Sequence, residues 1–237
     1  MPKKNELRVQ HLGTILNARS KIQEKSLMTA VLDVVEKLGE QFPFIELDHV
    51  SEWKLKSIVE NLASLFPGID FGCYFGTSSM RPDGGILSLK SNDGSLYPIL
   101  ISEKKNQGTN DLRLAEGKSK QAKGNAIERL GKNVIGFRTA MKMEAIFPFV
   151  CFGDGCDFDE QSSILDRVVT IAQFGKLNHE HLYNQGTRGE FDRGTFYFRV
   201  EEWSESEMAE RMYSIAEKSI YYYFSRYGKE KFHLRGN

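Results

Sequence analysis

The chain is poor in cysteine, proline and long apolar runs, and each shortage excludes a class of protein. Three cysteines, Cys73, Cys151 and Cys156, are too few and wrongly spaced for a disulfide framework or a Cys-x-x-Cys zinc site. Lone cysteines of this kind are expected to be small buried hydrophobes. No run of eighteen apolar residues occurs, so no membrane-spanning helix is expected. The opening MPKKNELR has neither an apolar stretch nor a cleavage site, which predicts no signal peptide and a cytoplasmic address. No internal repeat or low-complexity tract is present. Net charge is absent too: 32 Lys and Arg balance 32 Asp and Glu, which is not the balance of a globally basic nucleic-acid binder.

What remains is ordinary globular composition, 40% apolar and 27% charged, over 237 residues. That length supports one large domain with its own core, or two small ones. The charge is unevenly spread. Between Glu103 and Lys142, ten Lys and Arg stand against four Asp and Glu, so the rest of the chain is net acidic. The asymmetry fits a basic groove on a neutral protein.

Periodicity divides the chain into alternating elements. Leu27, Val31, Val34, Val35 and Leu38 recur at helical spacing across 20–40, and 51–65 reads as a second helix. DFGCYF (70–75) reads as a first strand. In GGILSLKSNDGSLYPILISEKK (84–105) two apolar runs flank Asn-Asp-Gly-Ser, a strong hairpin signal. Residues 106–123 are polar and basic and read as a loop or arm. A helix is predicted over 124–142, an aromatic-rich central strand over 147–155, a helix over 160–174 and a strand over 194–203. Ser204 and Glu207 form a capping box ahead of a last helix, 205–226. Intermixed strands and helices predict a mixed α/β domain with helices on the sheet.

The helix over 124–142 carries two faces. Ile127, Leu130, Val134, Phe137 and Met141 form one apolar stripe that must pack on the sheet. Asn125, Glu128, Arg129 and Lys132 share another face. A solvated face is the ordinary meaning of such a set. These are also residue types that read base edges: Asn pairs with adenine, Glu accepts from an exocyclic amine, and Arg donates to purine N7. Their place at a helix start suits end-on entry into a major groove.

The hairpin places a second constellation. If Asp93–Gly94 is a two-residue turn, Asp83 lies opposite Lys104 and beside Glu103. Glu103 and Lys105, two residues apart, share one strand face. Asp83, Glu103 and Lys105 then converge as two hard oxygen ligands and an amine, the set that holds Mg²⁺ on a scissile phosphate and positions a water. A Pro-Asp followed by Glu-x-Lys is common by chance, and the alternative is a surface acid beside a solvated charge run.

SSMRPDGG (78–85), SEKKNQG (102–108) and GNAIER (124–129), in that order and spacing, resemble the EcoRI family of type II restriction endonucleases. ILDR (164–167), Gln185–Gly186 and EFD (190–192) are weaker matches. The resemblance covers 70–205 well and the first 65 residues poorly. It implies a restriction-endonuclease-like α/β/α sandwich with a central mixed β-sheet flanked by helices. It also implies a homodimer, Mg²⁺ dependence and cleavage of palindromic double-stranded DNA. The implied layout is one catalytic and DNA-binding domain: a helical part to residue 65, the catalytic core and recognition helix over 70–155, and C-terminal strands and helix over 156–237. Asp83 and Glu103 match the family's metal-binding acids and Lys105 its catalytic lysine. Asn125, Ala126, Glu128 and Arg129 match the part that reads an inner AATT, with Lys132 on the same face.

Two departures bear on specificity. Gln121 and Lys123 stand where the family pattern has apolar Met and Ala beside the outer base pair, so that pair is left open between GAATTC and RAATTY. The chain is also short for the family, which implies reduced loops or arms. A companion methyltransferase acting on the same site is implied as a functional partner. This chain is not that methyltransferase, since its six prolines are never adjacent and the Asp/Asn-Pro-Pro-aromatic motif is missing. NHEH (178–181) lacks the helical HExxH register and is not expected to bind metal. Tyr221–Phe224 is expected to serve packing or an interface, and Trp53 and Trp203 to be core or partly buried. Two other readings are a repair or junction-resolving nuclease of the same broad fold and a DNA-binding module that does not cleave. GNAIER disfavours the first, and the intact acids and lysine disfavour the second.

Overall fold

The two apolar runs that flank Asn92–Gly94 do pair, and the strands they form anchor a five-stranded sheet. The computed structural model describes residues 15–72, 76–106, 117, 125–160, 162–183 and 193–233. In chain order the elements are α1 (Ile15–Gln41), β1 (Glu46–Val50), β2 (Trp53–Lys54), α2 (Leu55–Leu65), β3 (Ser79–Met80), β4 (Ile86–Lys90) and β5 (Leu96–Asn106). There follow α3 (Asn125–Ala140), β6 (Phe149–Asp154), α4 (Ser163–Ile171), β7 (Thr195–Arg199) and α5 (Glu205–Tyr227). The sheet order is β1-β4-β5-β6-β7, and β2 pairs separately with β3. The first three strands are antiparallel and the last three parallel, so the sheet is mixed.

Strand alternation sends side chains to two apolar layers. Val150 and Phe152 join Leu27, Val31 and Val34 of α1 and Met212 and Ile215 of α5 on one face. Phe149 and Cys151 join Ile127, Leu130, Val134 and Phe137 of α3 on the other, with Ile164 and Val168 of α4. This is the α/β/α sandwich, and the predicted stripe of α3 is its buried face. Ser204 and Glu207 close the predicted capping box at the start of α5.

Several expectations are corrected. β1 was not foreseen, because ELDHV has no apolar alternation; it is an edge strand of half-buried residues. Half of the strand expected at 70–75 (residues 73–75) lies outside the described residues, and 70–72 are not strand. The arm expected at 106–123 also lies almost wholly outside them. Cys151 is buried as expected, whereas Cys156 is exposed and Cys73 lies outside the described residues.

The hairpin turn is longer than predicted. Lys90 pairs with Leu96, Ser91 N–H donates to Ser95 O at 2.9 Å, and Gly94 N–H donates to Ser91 O at 2.9 Å. Gly94 takes φ +81°, so Asn92–Gly94 is a three-residue turn that needs glycine at its last place. Asp93 Oδ1 accepts from Ser91 Oγ at 2.6 Å and Ser95 N–H at 2.9 Å. The added turn residue shifts the register by one. A bulge then shifts it back, since Ser88 faces Pro98 but Leu87 faces Leu100. Pro98 has no N–H for the ladder, and a bulge is one of the few places where a sheet interior accepts proline. Its carbonyl accepts instead from the Tyr223 hydroxyl of α5, at 3.0 Å. Beyond the bulge the register is the predicted one.

Candidate active site and reading helix

The chain enters the hairpin through Pro82-Asp83-Gly84-Gly85. Gly85 N–H donates to Pro82 O at 3.0 Å, which closes a turn around Asp83. Both glycines are required by their surroundings. Gly85 has φ +75°, a region L side chains rarely enter. A Cβ on Gly84 would lie 2.1 Å from Ser102 Oγ and 3.0 Å from Leu27 Cδ2, so only glycine lets the turn lie flat on β5.

That close approach brings the three predicted residues together. Gly84 N–H donates to Ser102 O at 2.9 Å and Ser102 N–H to Gly85 O at 3.3 Å. The next N–H on this edge of β5, that of Lys104, donates to Asp83 Oδ2 at 3.1 Å. Asp83 N–H in turn donates to Glu103 Oε2 at 3.3 Å. Lys105 Nζ lies 3.2 Å from Asp83 Oδ2 and also donates to Glu103 Oε1. Glu103 is almost wholly buried, and the side chains of Lys105 and Asp83 are 16% and 26% exposed. One rim of the site is therefore open.

Burial sets the electrostatics. Desolvation pushes the Glu103 carboxyl above its ordinary range, against the attraction of Lys105 and with the repulsion of Asp83. Burial alone would lower Lys105, but the facing carboxylates of Glu103 and Asp83 outweigh it and hold the ammonium above the usual lysine range. Cys151, opposite Glu103 on β6, is pushed well up by burial and is an inert thiol. Two carboxylates against one ammonium leave the cluster with excess negative charge. A hard divalent cation fits that donor set. No cluster of three or more His, Cys, Asp and Glu is found among the described residues.

Helix α3 lies beside this site. Glu128, Arg129 and Lys132 are exposed, while the stripe from Ile127 to Met141 is buried. Asn125 and Ala126 fall in its first turn, but their side chains lie outside the description, and Gln121 and Lys123 lie outside the described residues altogether. One contact was not anticipated: Asn133 Nδ2 donates to Glu103 Oε1 at 3.5 Å, at the long limit of a hydrogen bond. The helix that carries the candidate reading face thus also touches the buried carboxylate. Asn133 sits four residues after Arg129, one helical turn further along α3.

A second unanticipated neighbour is His49, whose Nε2 lies 3.0 Å from Gly84 O. A carbonyl only accepts, so Nε2 carries the proton in that contact. Nothing in the sequence suggested it, because β1 itself was missed.

The side chains of NHEH (178–181) bond to neighbouring parts of the fold. Asn178 Oδ1 accepts from Phe198 N–H, His179 and His181 face the Leu177 and Lys176 carbonyls, and Glu180 holds Ser214 and Lys218 of α5. The four side chains point apart. In Tyr221–Phe224, Tyr222 OH accepts from Ala145 N–H at 2.8 Å and Tyr223 is fully buried, so this run serves packing. Trp203 is buried and Trp53 partly so. No described helix is long and apolar enough to cross a membrane.

A family model described as restriction endonuclease EcoRI matches residues 10–230, further than the blocks over 70–205 and including all of α1. The type II restriction enzyme RsrI of Cereibacter sphaeroides is 31% identical over 89% of this chain and 90% of its own length. The type II restriction enzyme EcoRI of Escherichia coli is 30% identical over 68% of this chain and 59% of its own length. The chain belongs to the EcoRI family of type II restriction endonucleases.

Proposed function

We propose that this chain, as a homodimer, is a Mg²⁺-dependent nuclease that cuts both strands of a palindromic DNA duplex containing AATT. The outer pair is RAATTY in preference to strict GAATTC, and the products carry 5′-phosphate and 3′-hydroxyl ends. The reading rests on one observation: Asp83, Glu103 and Lys105 meet at the open end of the hairpin, with Asn133 of α3 against Glu103.

The geometry supports the following roles. Asp83 and Glu103 would hold Mg²⁺, which supplies a Lewis acid for a phosphate oxygen and acidifies a bound water. Lys105, anchored by both carboxylates, carries its charge to the phosphate and orients the attacking water. Preorganised charge of this kind lowers the barrier without reorganisation during the reaction. Glu103 is buried, while Asp83 faces the open rim from which a phosphate would approach.

Specificity belongs to α3. Asn125, Ala126, Glu128 and Arg129 read the inner AATT, and Lys132 contacts the backbone. Gln121 and Lys123 replace the family's apolar residues beside the outer pair; an amide can donate or accept, which favours a relaxed R·Y pair. One such site per chain and a two-fold target call for two chains, each reading half. A companion methyltransferase would protect the same site in the host.

Digestion of a DNA of known sequence with Mg²⁺, followed by mapping of the ends, tests the proposal. Cuts at AATT-centred sites are expected. Frequent cuts at sites lacking AATT would refute the assignment of α3, and no cleavage at all would refute the assignment of the site.

A further inference from the structure

β5 runs on past the end of β4. The last β4 pair joins Ile86 to Ile101, and Gly84 and Gly85 then bond Ser102. Beyond that point the β4 side of β5 meets the Asp83 carboxylate rather than a strand. The end that carries Glu103 and Lys105 is therefore backed by strand on one side alone, by β6, through pairs from Glu103 with Cys151 to Asn106 with Asp154.

The intervening side chain, Lys104, points to the opposite face of the sheet and is buried there. Its side chain is 3% exposed, and Nζ lies 3.2 Å from Asp154 Oδ2, itself 4% exposed. The approach is off the line of a hydrogen bond, so the contact is a charge pair. Asp154 gathers two more elements. Its Oδ1 accepts from Gln23 Nε2 of α1 at 3.2 Å, and its Oδ2 from Trp203 N–H, between β7 and α5, at 3.4 Å.

A buried ion pair is weak evidence for stability, since apolar residues of similar volume often do as well. Its position is the informative part. The pair grips β5 at the residue whose N–H holds Asp83. We propose that Lys104 is a positioning residue for the cleavage reaction. The buried Lys104–Asp154 pair, tied to α1 through Gln23, fixes the overhanging end of β5 so that the residue-104 N–H keeps Asp83 opposed to Glu103. The proposal rests on Asp83 and Glu103 being the nuclease site.

Lys104→Met removes the charge and keeps the length. Three quantities decide: single-turnover cleavage at saturating Mg²⁺, equilibrium affinity for the cleavage site without Mg²⁺, and backbone hydrogen exchange of the 103–106 segment. The cleavage rate is expected to fall about tenfold or more, since small misplacements near reacting groups are costly. Affinity is expected to hold within about twofold, because no base or phosphate contact is removed. Exchange of the segment should quicken, and Lys104→Arg, which keeps the cation, should restore much of the rate. A folded Lys104→Met protein with wild-type rate, or with unchanged exchange, overturns the proposal. If that variant does not fold, Gln23→Leu, which removes one tie to Asp154, should give a smaller loss of rate with the same exchange change; an unchanged rate there overturns it equally. Glu103→Ala separates the two levels. If it still cleaves, the site assignment fails; if it is inactive while Lys104→Met is normal, only the positioning role fails.

Discussion

Adding a single methyl group at Gly84 should misplace Asp83 without touching any charged group. A Cβ there would sit 2.1 Å from Ser102 Oγ and about as close as packing allows to Leu27, at 3.0 and 3.1 Å. Ordinary contact needs about 3.4 Å or more, so the turn must lift from β5 by roughly 1 Å or the hydroxyl must leave its place. Overpacking of this kind costs about 1–3 kcal/mol of stability. The functional cost should be larger in proportion, because a displacement of about 1 Å near the reacting groups can slow a reaction on the order of a hundredfold. The neighbour offers a built-in control. Ser102 Oγ is buried and has no hydrogen-bond partner among the described residues, so Ser102→Ala alone should change little. In the double variant the 2.1 Å clash is gone and only the Leu27 contacts remain. Single-turnover cleavage and urea unfolding of the four proteins make a double-mutant cycle. Gly84→Ala should cleave about a hundredfold more slowly with near-normal DNA affinity, and adding Ser102→Ala should recover at least about tenfold. Wild-type cleavage by Gly84→Ala, or no recovery in a stably folded double variant, would refute the argument from close approach.

Glu103→Ala and Asp83→Ala should each lose cleavage by several kcal/mol of transition-state stabilisation, about 10³-fold or more, while duplex binding survives in at least one; near-normal single-turnover rates would contradict the site. Asn125→Ala should weaken binding by roughly 1–3 kcal/mol and relax selectivity at the inner adenines, measured by competition between AATT and single-substituted duplexes. Sedimentation of the protein on a cleavable duplex should show two chains per site, and one chain per cleaved duplex would defeat the dimer. Acid sensitivity has a separate source. Arg199 and Ser204 hold the Glu207 carboxyl down to about 2, from 4.5, so its contribution is complete above 4.5 and is lost as pH falls towards 2. With 44% of that side chain exposed, screening keeps the contribution below about 1 kcal/mol. Urea unfolding of Glu207→Gln should therefore differ from wild type near neutral pH and converge with it in acid; a constant difference would exclude the linkage.

The sequence announces elements that bury one face and hides those that do not. The stripes of α1 and α3 were legible because apolar residues at helical spacing must face a core, and Leu27, Val31, Leu130 and Val134 do. β1 was invisible because its residues are half-exposed on an edge. His49 went unseen with it, although its ring reaches the Gly84 carbonyl. Lys104 was read as part of a charged run. Only the sheet reveals that it crosses to the other face and meets Asp154, fifty residues on in the chain. Contacts between distant strands leave no local pattern to read.

The hairpin shows why a sequence argument could bring Asp83, Glu103 and Lys105 together although its premise about the turn was wrong. Side chains alternate across a strand, so a one-residue slip sends every one of them to the other face. The three-residue turn makes such a slip: near it Lys90 faces Leu96 and Leu89 faces Tyr97. Carried to the far end, that register would set Asp83 opposite Glu103 rather than Lys104. The N–H that holds the carboxylate would then belong to a residue whose backbone points toward β6. The bulge at Pro98 cancels the slip before Leu87 meets Leu100. Glu103 and Lys105 consequently face α3 while Lys104 faces α1 and α5. Tyr223, which takes the Pro98 carbonyl, belongs to the same α5 layer against which that side of β5 packs. The register of the site is thus fixed from behind, by a proline without an N–H and a tyrosine that satisfies its carbonyl.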